Sequence, residues 1–494
     1  MITIMKYILL IIPIYFPLLC SSQGKWDYNW VLGSFSDGIM IDFNEGYMEV
    51  NEIDRDMSMY ATSNTISNES GNLLFYSNGC YIANANNTLM ENGNNLNPGN
   101  IHSDFCFDIG YPLKQGAVTI PFPIGTADNI IIHTRFADAP FYSDKLYYTT
   151  IDMDLDGGLG AVVEKNVPVL EDSLWAGYLT ATKHANNTDW WIIAGGYYRD
   201  QYYKLLLDSN GVRVYDYQDF DLGVTDGGWG IGQSAFSPDG TKYVHYDQYG
   251  PLLLFDFDRS TGQLGQPEQI FVEDTIFAGG AAISSNSRFL YISNNVKLFQ
   301  FDLQADDIQG SKVLIGTYDG FVSPFATTFY LMQLAPDCRI YMNTTNGTDR
   351  LHVINSPNEK GTACDFQQHA VELPGTNFIS IPNHPNYRLG TPYPVCDSSI
   401  QMVTASIRVL PPLQGVAVYP NPASGVLHIE LPVPLRREGE WSLYSAVGKK
   451  VLVERIGKGQ MRHEVALPEL PEGLYFWELR NGEGRLDSGK VVVR

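Results

Sequence analysis

Asp152-Met153-Asp154-Leu155-Asp156-Gly157 is the stretch of this 494-residue chain that comes nearest to coordination chemistry. Alternate aspartates followed by glycine, with Leu159 in the apolar place, open like a calcium loop, whose spaced carboxylates supply hard oxygen ligands. The twelfth position is Val163 instead of a bidentate glutamate, and Glu164 comes one residue late. A strand running into an Asp156-Gly157-Gly158 turn accounts for the same residues. Asp152, Asp154 and Asp156 are thus a calcium candidate by residue type without a complete ligand set, and no cofactor is expected.

Nucleophile and metal motifs are missing from the sequence: there is no Gly-x-Ser-x-Gly elbow, no His-Glu-x-x-His, no phosphate loop and no Cys-x-x-Cys. The nine histidines are dispersed, and carboxylates scattered through an acidic chain nominate no acid and base pair. Aromatic side chains offer a different chemistry. Tyr197 and Tyr198, in Gly195-Gly196-Tyr197-Tyr198-Arg199-Asp200, and Trp229, in Asp226-Gly227-Gly228-Trp229-Gly230, stand in Gly-rich surroundings that read as loops. Rigid apolar faces with polar tips suit sugar stacking or protein contact, whereas Tyr202 and Tyr203 read as packing within a strand.

The elements that must position these residues are short strands. Ala235-Phe236-Ser237-Pro238-Asp239-Gly240-Thr241-Lys242-Tyr243-Val244 is a strand, a turn and a second strand; the pattern recurs around Ser284 and around Ala335. A further pair of alternating strands follows each copy, beginning at Leu254, Leu298 and Leu351. Two hairpins every ~40 to 50 residues mark a four-stranded propeller blade. The rhythm runs from Gly24 to about Leu389, which predicts about seven blades. Ala235-Phe236-Ser237, Ala282-Ile283-Ser284 and Met332-Gln333-Leu334 are expected as equivalent innermost strands. Such strands converge on one channel, so the polar residues read as opening them, Lys114, Gln115, His184, Gln233 and Gln333, are expected at its rim as ligand contacts.

Composition agrees with an all-β chain: 46 Gly, 30 Tyr and 24 Phe accompany many Asn-Gly and Asp-Gly turns. The formal net charge is -23, and because residues from Pro411 onward hold 11 Lys+Arg against 10 Asp+Glu, the rest carries -24. Such a body repels phosphate backbones and anionic lipid, which argues against nucleic-acid and membrane-surface partners. Residues 1–22 read as a secretory signal, with Lys6 ahead of an apolar run from Tyr7 to Leu19 and a Cys20-Ser21-Ser22 exit. In an oxidising compartment the remaining cysteines should pair, and Cys80 with Cys106 and Cys338 with Cys364 each span 26 residues, leaving Cys396 over.

The body resembles the propeller-like bodies of cell-surface and gliding-associated proteins of Bacteroidetes-type bacteria in Gly71-Asn72-Leu73-Leu74-Phe75-Tyr76, Leu334-Ala335-Pro336-Asp337 and Ile381-Pro382-Asn383-His384-Pro385-Asn386-Tyr387. That resemblance implies a secreted propeller with an open choice of ligand. A Pro-punctuated connector is expected over 391–414, and seven short alternating strands over 415–494 read as an Ig-like sandwich. This module resembles the type IX secretion C-terminal sorting domain in Tyr419-Pro420-Asn421-Pro422 with Gly425, in the stretch around Gly448, and in Gly473-Leu474-Tyr475 followed by Lys490. The resemblance implies secretion machinery as a partner and delivery to the medium or the outer cell surface.

The expectation is therefore an all-β chain: signal peptide 1–22, β-propeller 23–390, linker 391–414 and sorting sandwich 415–494. Its function is read as binding of an extracellular glycan or protein, in preference to enzymic activity. A polymer-cleaving propeller hydrolase or lyase and a structural part of a surface or gliding apparatus are the alternatives.

Overall fold

A computed structural model of the chain describes residues 24–494 apart from 36, 124–127, 139–141, 198–199, 223–229, 248–249, 273–278, 403–415, 433, 436–438, 446–448 and 482–483. The expected signal segment lies outside the described residues. The chain divides into two compact units, 1–402 and 403–494. The one α-helix among the described residues, Asn100–Phe105, is six residues long. No described helix is long and apolar enough to cross a membrane.

Among the described residues, seven sheets make up the first unit. Blade 1 holds Asn29–Leu32, Ile39–Asp42 and Tyr47–Glu52; blade 2 holds Asn64–Ser67, Leu73–Ser77 and Ile82–Asn84. Blades 3 to 7 begin with Ala117–Pro121, Thr180–Lys183, Gly232–Phe236, Ala281–Ile283 and Phe329–Leu334, each the first strand of an antiparallel meander. The three stretches read as equivalent innermost strands do occupy equivalent places in blades 5, 6 and 7. Shared apolar cores close the ring. Val31 of blade 1 packs with Tyr76 of blade 2, Ile66 of blade 2 with Val118 of blade 3, and Ile132 of blade 3 with Ile192 of blade 4. Trp191 then packs with Phe255, Val244 with Ile292, Tyr291 with Met342, and Tyr341 of blade 7 with Trp30 of blade 1. Closure leaves no sheet edge facing a gap in the ring.

The recurring turn has one geometry in three copies. Asp239 Oδ1 accepts the amide of Thr241 at 3.0 Å, Asn286 Oδ1 that of Arg288 at 3.1 Å, and Asp337 Oδ1 that of Arg339 at 3.1 Å. The residue after each, Gly240, Ser287 or Cys338, has φ of 72, 58 or 66°. This left-handed corner is free of strain for glycine alone, and the side-chain acceptor holds the other two in it.

Blade 1 lacks an innermost strand of its own, and the chain beyond blade 7 fills the place. Ile379 N donates to Tyr60 O at 3.2 Å, Asn383 N to Ser63 O at 3.3 Å, and His384 Nε2 meets Thr65 O at 2.8 Å, so this segment runs alongside and parallel to the first strand of blade 2. Pro382 and Pro385 deny it a regular ladder, and its side chains bond instead. Arg388 grips Asp27 through two bonds of 2.6 and 2.8 Å, both side chains buried. The chain then returns to blade 1, where Gln401–Met402 pairs parallel with Tyr47–Met48. Residues 391–402, expected as connector, are therefore part of the propeller.

The disulfides correct one expectation. Cys80 bonds Cys106, as expected, but Cys338 bonds Cys396 and Cys364 is a buried free thiol. Cys364 faces the blade 6–7 core with Tyr291 and Met342, away from the turn that carries Cys338. Asp397 N donates to Pro336 O at 2.6 Å, and this backbone contact draws Cys396 to the same turn. Equal loop length carries no information about this proximity.

The second unit is a sandwich of two sheets: Ala417–Tyr419, Val426–Glu430 and Arg462–Ala466 in one, Gly439–Ser445, Lys450–Ile456, Gly473–Asn481 and Gly484–Val493 in the other. Leu427, Ile429, Trp441, Leu443, Val465 and Leu479 fill the space between them.

Candidate functional site

The innermost strands and the closing segment enclose a cavity on the propeller axis, lined by Gln115, Gln233, Gln333, Asn383, His384 and Arg388 among others. Sequence reading nominated the three glutamines, and the structure brings them together. Each is already committed. Gln115 reaches from blade 3 to blade 5, its Nε2 donating to Ser234 O at 2.9 Å and its Oε1 accepting Ser234 N at 2.8 Å. Gln233 Oε1 accepts Ala281 N and Met332 N, both at 3.0 Å, and its Nε2 donates to Met332 O at 2.6 Å, which joins blades 5, 6 and 7. Gln333 Nε2 donates to His384 O at 3.2 Å. Asn383, which sequence reading passed over as a functional residue, donates to Ala117 O at 2.9 Å and Leu179 O at 2.7 Å.

A primary amide has donors and an acceptor in one plane, so it can bond the N–H of one strand and the C=O of another at once. These four amides act as spokes between strands that twist too far apart to pair. The space left, about 80 Å³, has room for a handful of waters. Burial pushes the His384 imidazole down, so it stays neutral, and its Nε2 donates to Thr65 O of blade 2.

Ser234 Oγ lies 3.0 Å from His245 Nδ1, with Tyr243 OH donating to the serine at 3.2 Å. The pair has the residue types of a nucleophile and its base. Burial pushes His245 down to about 3, and its ring stacks on Trp175 at 3.9 Å. An imidazole that resists a proton so strongly is a poor base near neutrality, and Ser234 is itself buried. The arrangement reads as packing.

Other nominated residues are dispersed. Lys114 adjoins Gln115 ahead of blade 3, half-buried and without a hydrogen bond or ion pair among the described residues; burial brings its ammonium down to about 8. His184 does not open an innermost strand: it follows the end of Thr180–Lys183, in a turn at the opposite end of the channel, where its ring lies 5.5 Å from Trp191. Tyr197 is buried against Tyr142 at 5.5 Å. Tyr198 and Trp229 lie outside the described residues. Asp152 Oδ1 accepts the amide of Asp154 at 2.9 Å, the turn reading of that stretch. The carboxylates of Asp152, Asp154 and Asp156 do not all three lie within 4.8 Å of one another.

Exposed apolar side chains, which sequence reading missed, gather where the innermost strands begin. Phe35 follows the first strand of blade 1, and Phe321, Val322 and Phe325 lie between blades 6 and 7; Phe35 is 48% exposed and Phe325 58%. Phe378, 6.3 Å from Phe35 and 5.2 Å from Tyr60, continues this surface across blades 7, 1 and 2. Single phenylalanines in loops carry no period, so no sequence signal marked them.

In the sandwich, Asn421 Oδ1 accepts Val492 N at 2.9 Å and Asn421 Nδ2 donates to Lys490 O at 3.3 Å. The segment between Pro420 and Pro422, both cis, is thereby stitched to the last strand. Gly425 and Gly473 turn with φ of 81 and 159°, Tyr475 OH donates to Pro471 O at 2.9 Å, and Tyr419 stands 42% exposed. Gly448 lies outside the described residues.

Residues 417–494 match the family described as secretion system C-terminal sorting domain. None of the curated proteins matches the chain. Among solved structures, the chain is similar to a Bacteroides fragilis protein described as a 6-phosphogluconolactonase: 13% identity, TM-score 0.42, covering 73% of this chain and 98% of that one. It is also similar to the extracellular domain of a hybrid two-component system from B. thetaiotaomicron: 10% identity, TM-score 0.38, covering 95% and 56%. A regucalcin from Agrobacterium tumefaciens, described as calcium-binding, matches at 15% identity and TM-score 0.27 over 49% and 70%. At such identities the likeness concerns fold alone. The C-terminal module is a sorting domain, and it marks the chain for export to the cell surface or beyond.

Proposed function

We propose that this exported chain is a binding protein whose propeller takes an extracellular glycan or protein on the face where its innermost strands begin. The reading rests on one contrast. The channel amides are engaged with one another's strands, whereas the connections on that face leave Phe35, Val322 and Phe325 in water. Exposed apolar groups brought together from distant connections favour a contact surface. Lys114, near the axis on the same side, adds a cation with no hydrogen bond or ion pair among the described residues. The sandwich serves delivery, with the secretion machinery as its partner.

The test is to pass the full chain over glycan and surface-protein arrays and repeat with Phe35→Ala, Phe325→Ala and Lys114→Gln. Loss of binding in two or more of these, with unchanged far-UV circular dichroism, supports the assignment. Binding lost only by changes on the outer blade faces overturns it, and turnover of an arrayed polymer replaces it with an enzymic reading.

A further inference from the structure

Cys80, His102 and Cys106 are the one trio of Cys, His, Asp or Glu side chains among the described residues whose donor atoms all lie within 4.8 Å of one another. Cys80 sits in the turn after Leu73–Ser77 of blade 2, where Asn78 Oδ1 accepts its amide at 3.0 Å. Helix Asn100–Phe105 carries His102, and its cap brings Cys106 across, the Cys106 amide donating to His102 O at 2.9 Å. The two cysteines are bonded, with Cα atoms 5.5 Å apart.

A second observation is independent of that clustering. His102 Nδ1 is shut away from solvent and has no hydrogen-bond partner. A polar nitrogen left this way has given up water without gaining a partner, which is destabilising. The imidazole that lies beside the two sulfurs thus carries one nitrogen without a partner. The other disulfide, Cys338–Cys396, belongs to no such trio.

We propose that Cys80, Cys106 and His102 form a redox-gated site for a thiophilic divalent cation of the Zn²⁺ type, shut while the sulfurs are joined and assembled when they are reduced. A low-potential dithiol supplies two electrons and two protons to break the S–S bond, becoming a disulfide itself and leaving two thiols. Binding of the cation expels both thiol protons, so two thiolates and one imidazole become the ligands, and water takes the fourth tetrahedral place. His102 and Cys106 are each partly exposed, whereas Cys80 is buried. The net charge of -23 raises the cation concentration near the protein surface. This site is separate from the aromatic face and stands whether or not that face binds a ligand.

The experiment uses the full chain, reduced with a phosphine in the absence of air and titrated with Co²⁺ alone. Sulfur-to-cobalt charge-transfer absorption should appear at one Co²⁺ per chain, vanish when Zn²⁺ is added, and be missing from the oxidised chain. His102→Ala should weaken the site by about tenfold or more, since even the loss of groups that merely hold metal ligands costs that much. A Cys338→Ser, Cys396→Ser double variant should keep it. The proposal is overturned by absorption that is unchanged in His102→Ala or equally present in the oxidised chain. Peptide mapping that finds Cys80–Cys106 still joined under the phosphine overturns it too, as does loss of near-UV circular dichroism in the reduced chain.

Discussion

The propeller and the sorting sandwich solve the same problem of closing a β structure in different ways. In the sandwich, every strand partner lies within the last 80 residues or so, and the module contains no cysteine. Asn421 and a short parallel bridge from Ala423 to Val493 suffice to tie its two ends together. The propeller must instead join residues near 27 to residues near 388. Bringing such distant segments together costs loop-closure entropy before any contact forms, and this is where the molecule places the buried Arg388–Asp27 ion pair and the bonds of Gln115, Gln333 and Asn383, with Cys338–Cys396 pinning the chain just beyond. The longest-range ties therefore secure the ring, whose other disulfide, Cys80–Cys106, is local, and the module without that burden has no disulfide.

The largest expected effect separates the two units. Removing residues 415–494 should abolish export, leaving the propeller folded in the periplasm, read by cell fractionation and circular dichroism; unchanged export of the truncated chain would break the division of labour. Next, Asp27→Asn should destabilise the propeller by about 3–5 kcal/mol in denaturant titration, because it leaves the Arg388 guanidinium buried without its counter-charge. The sandwich transition should not move. If Asp27→Asn costs under 1 kcal/mol, the ion pair is not what secures the closing segment.

Cys396→Ser should cost about 2–4 kcal/mol, the usual range for a loop of this kind, and should expose residues 379–400 to hydrogen exchange. Non-reducing peptide maps of the parent chain should show Cys338 joined to Cys396 and Cys364 free; a Cys338–Cys364 peptide would overturn the observed pairing. The smallest effect belongs to the sandwich. Asn421→Ala removes two hydrogen bonds on an exposed edge and should cost about 1–2 kcal/mol at most in that unit alone. A cost as large as that of Asp27→Asn would erase the contrast between the units.

Much of the architecture was legible because it is written in local chemistry. Strand alternation and the Asp or Asn that closes each recurring turn depend on residues two to five apart, which is why the strands at Ala235, Ala282 and Met332 were placed correctly. The prolines, glycines and asparagine that mark the sorting domain lie in short stretches for the same reason. The candidate site was legible only in part. Gln115, Gln233 and Gln333 were found because polar residues stood beside apolar innermost strands, but their bonds to Ser234, Met332 and His384 depend on neighbouring blades. His184 was misplaced because a polar residue beside a strand does not announce which end of the channel it marks.

By itself, then, the sequence determined the strand rhythm, the approximate blade number, the two-part organisation and the delivery signal, since each rests on periodicity or on a compact motif. Only the tertiary structure decided how the ring is shut. Pro382 and Pro385 disguise a segment that takes an innermost-strand position without strand hydrogen bonding, so no alternation betrays it. The choice of Cys396 over Cys364 follows from that same segment, because the backbone bond from Asp397 to Pro336 sets the approach of two residues 58 apart. Spacing along a chain constrains such an approach weakly, and packing in three dimensions settles it.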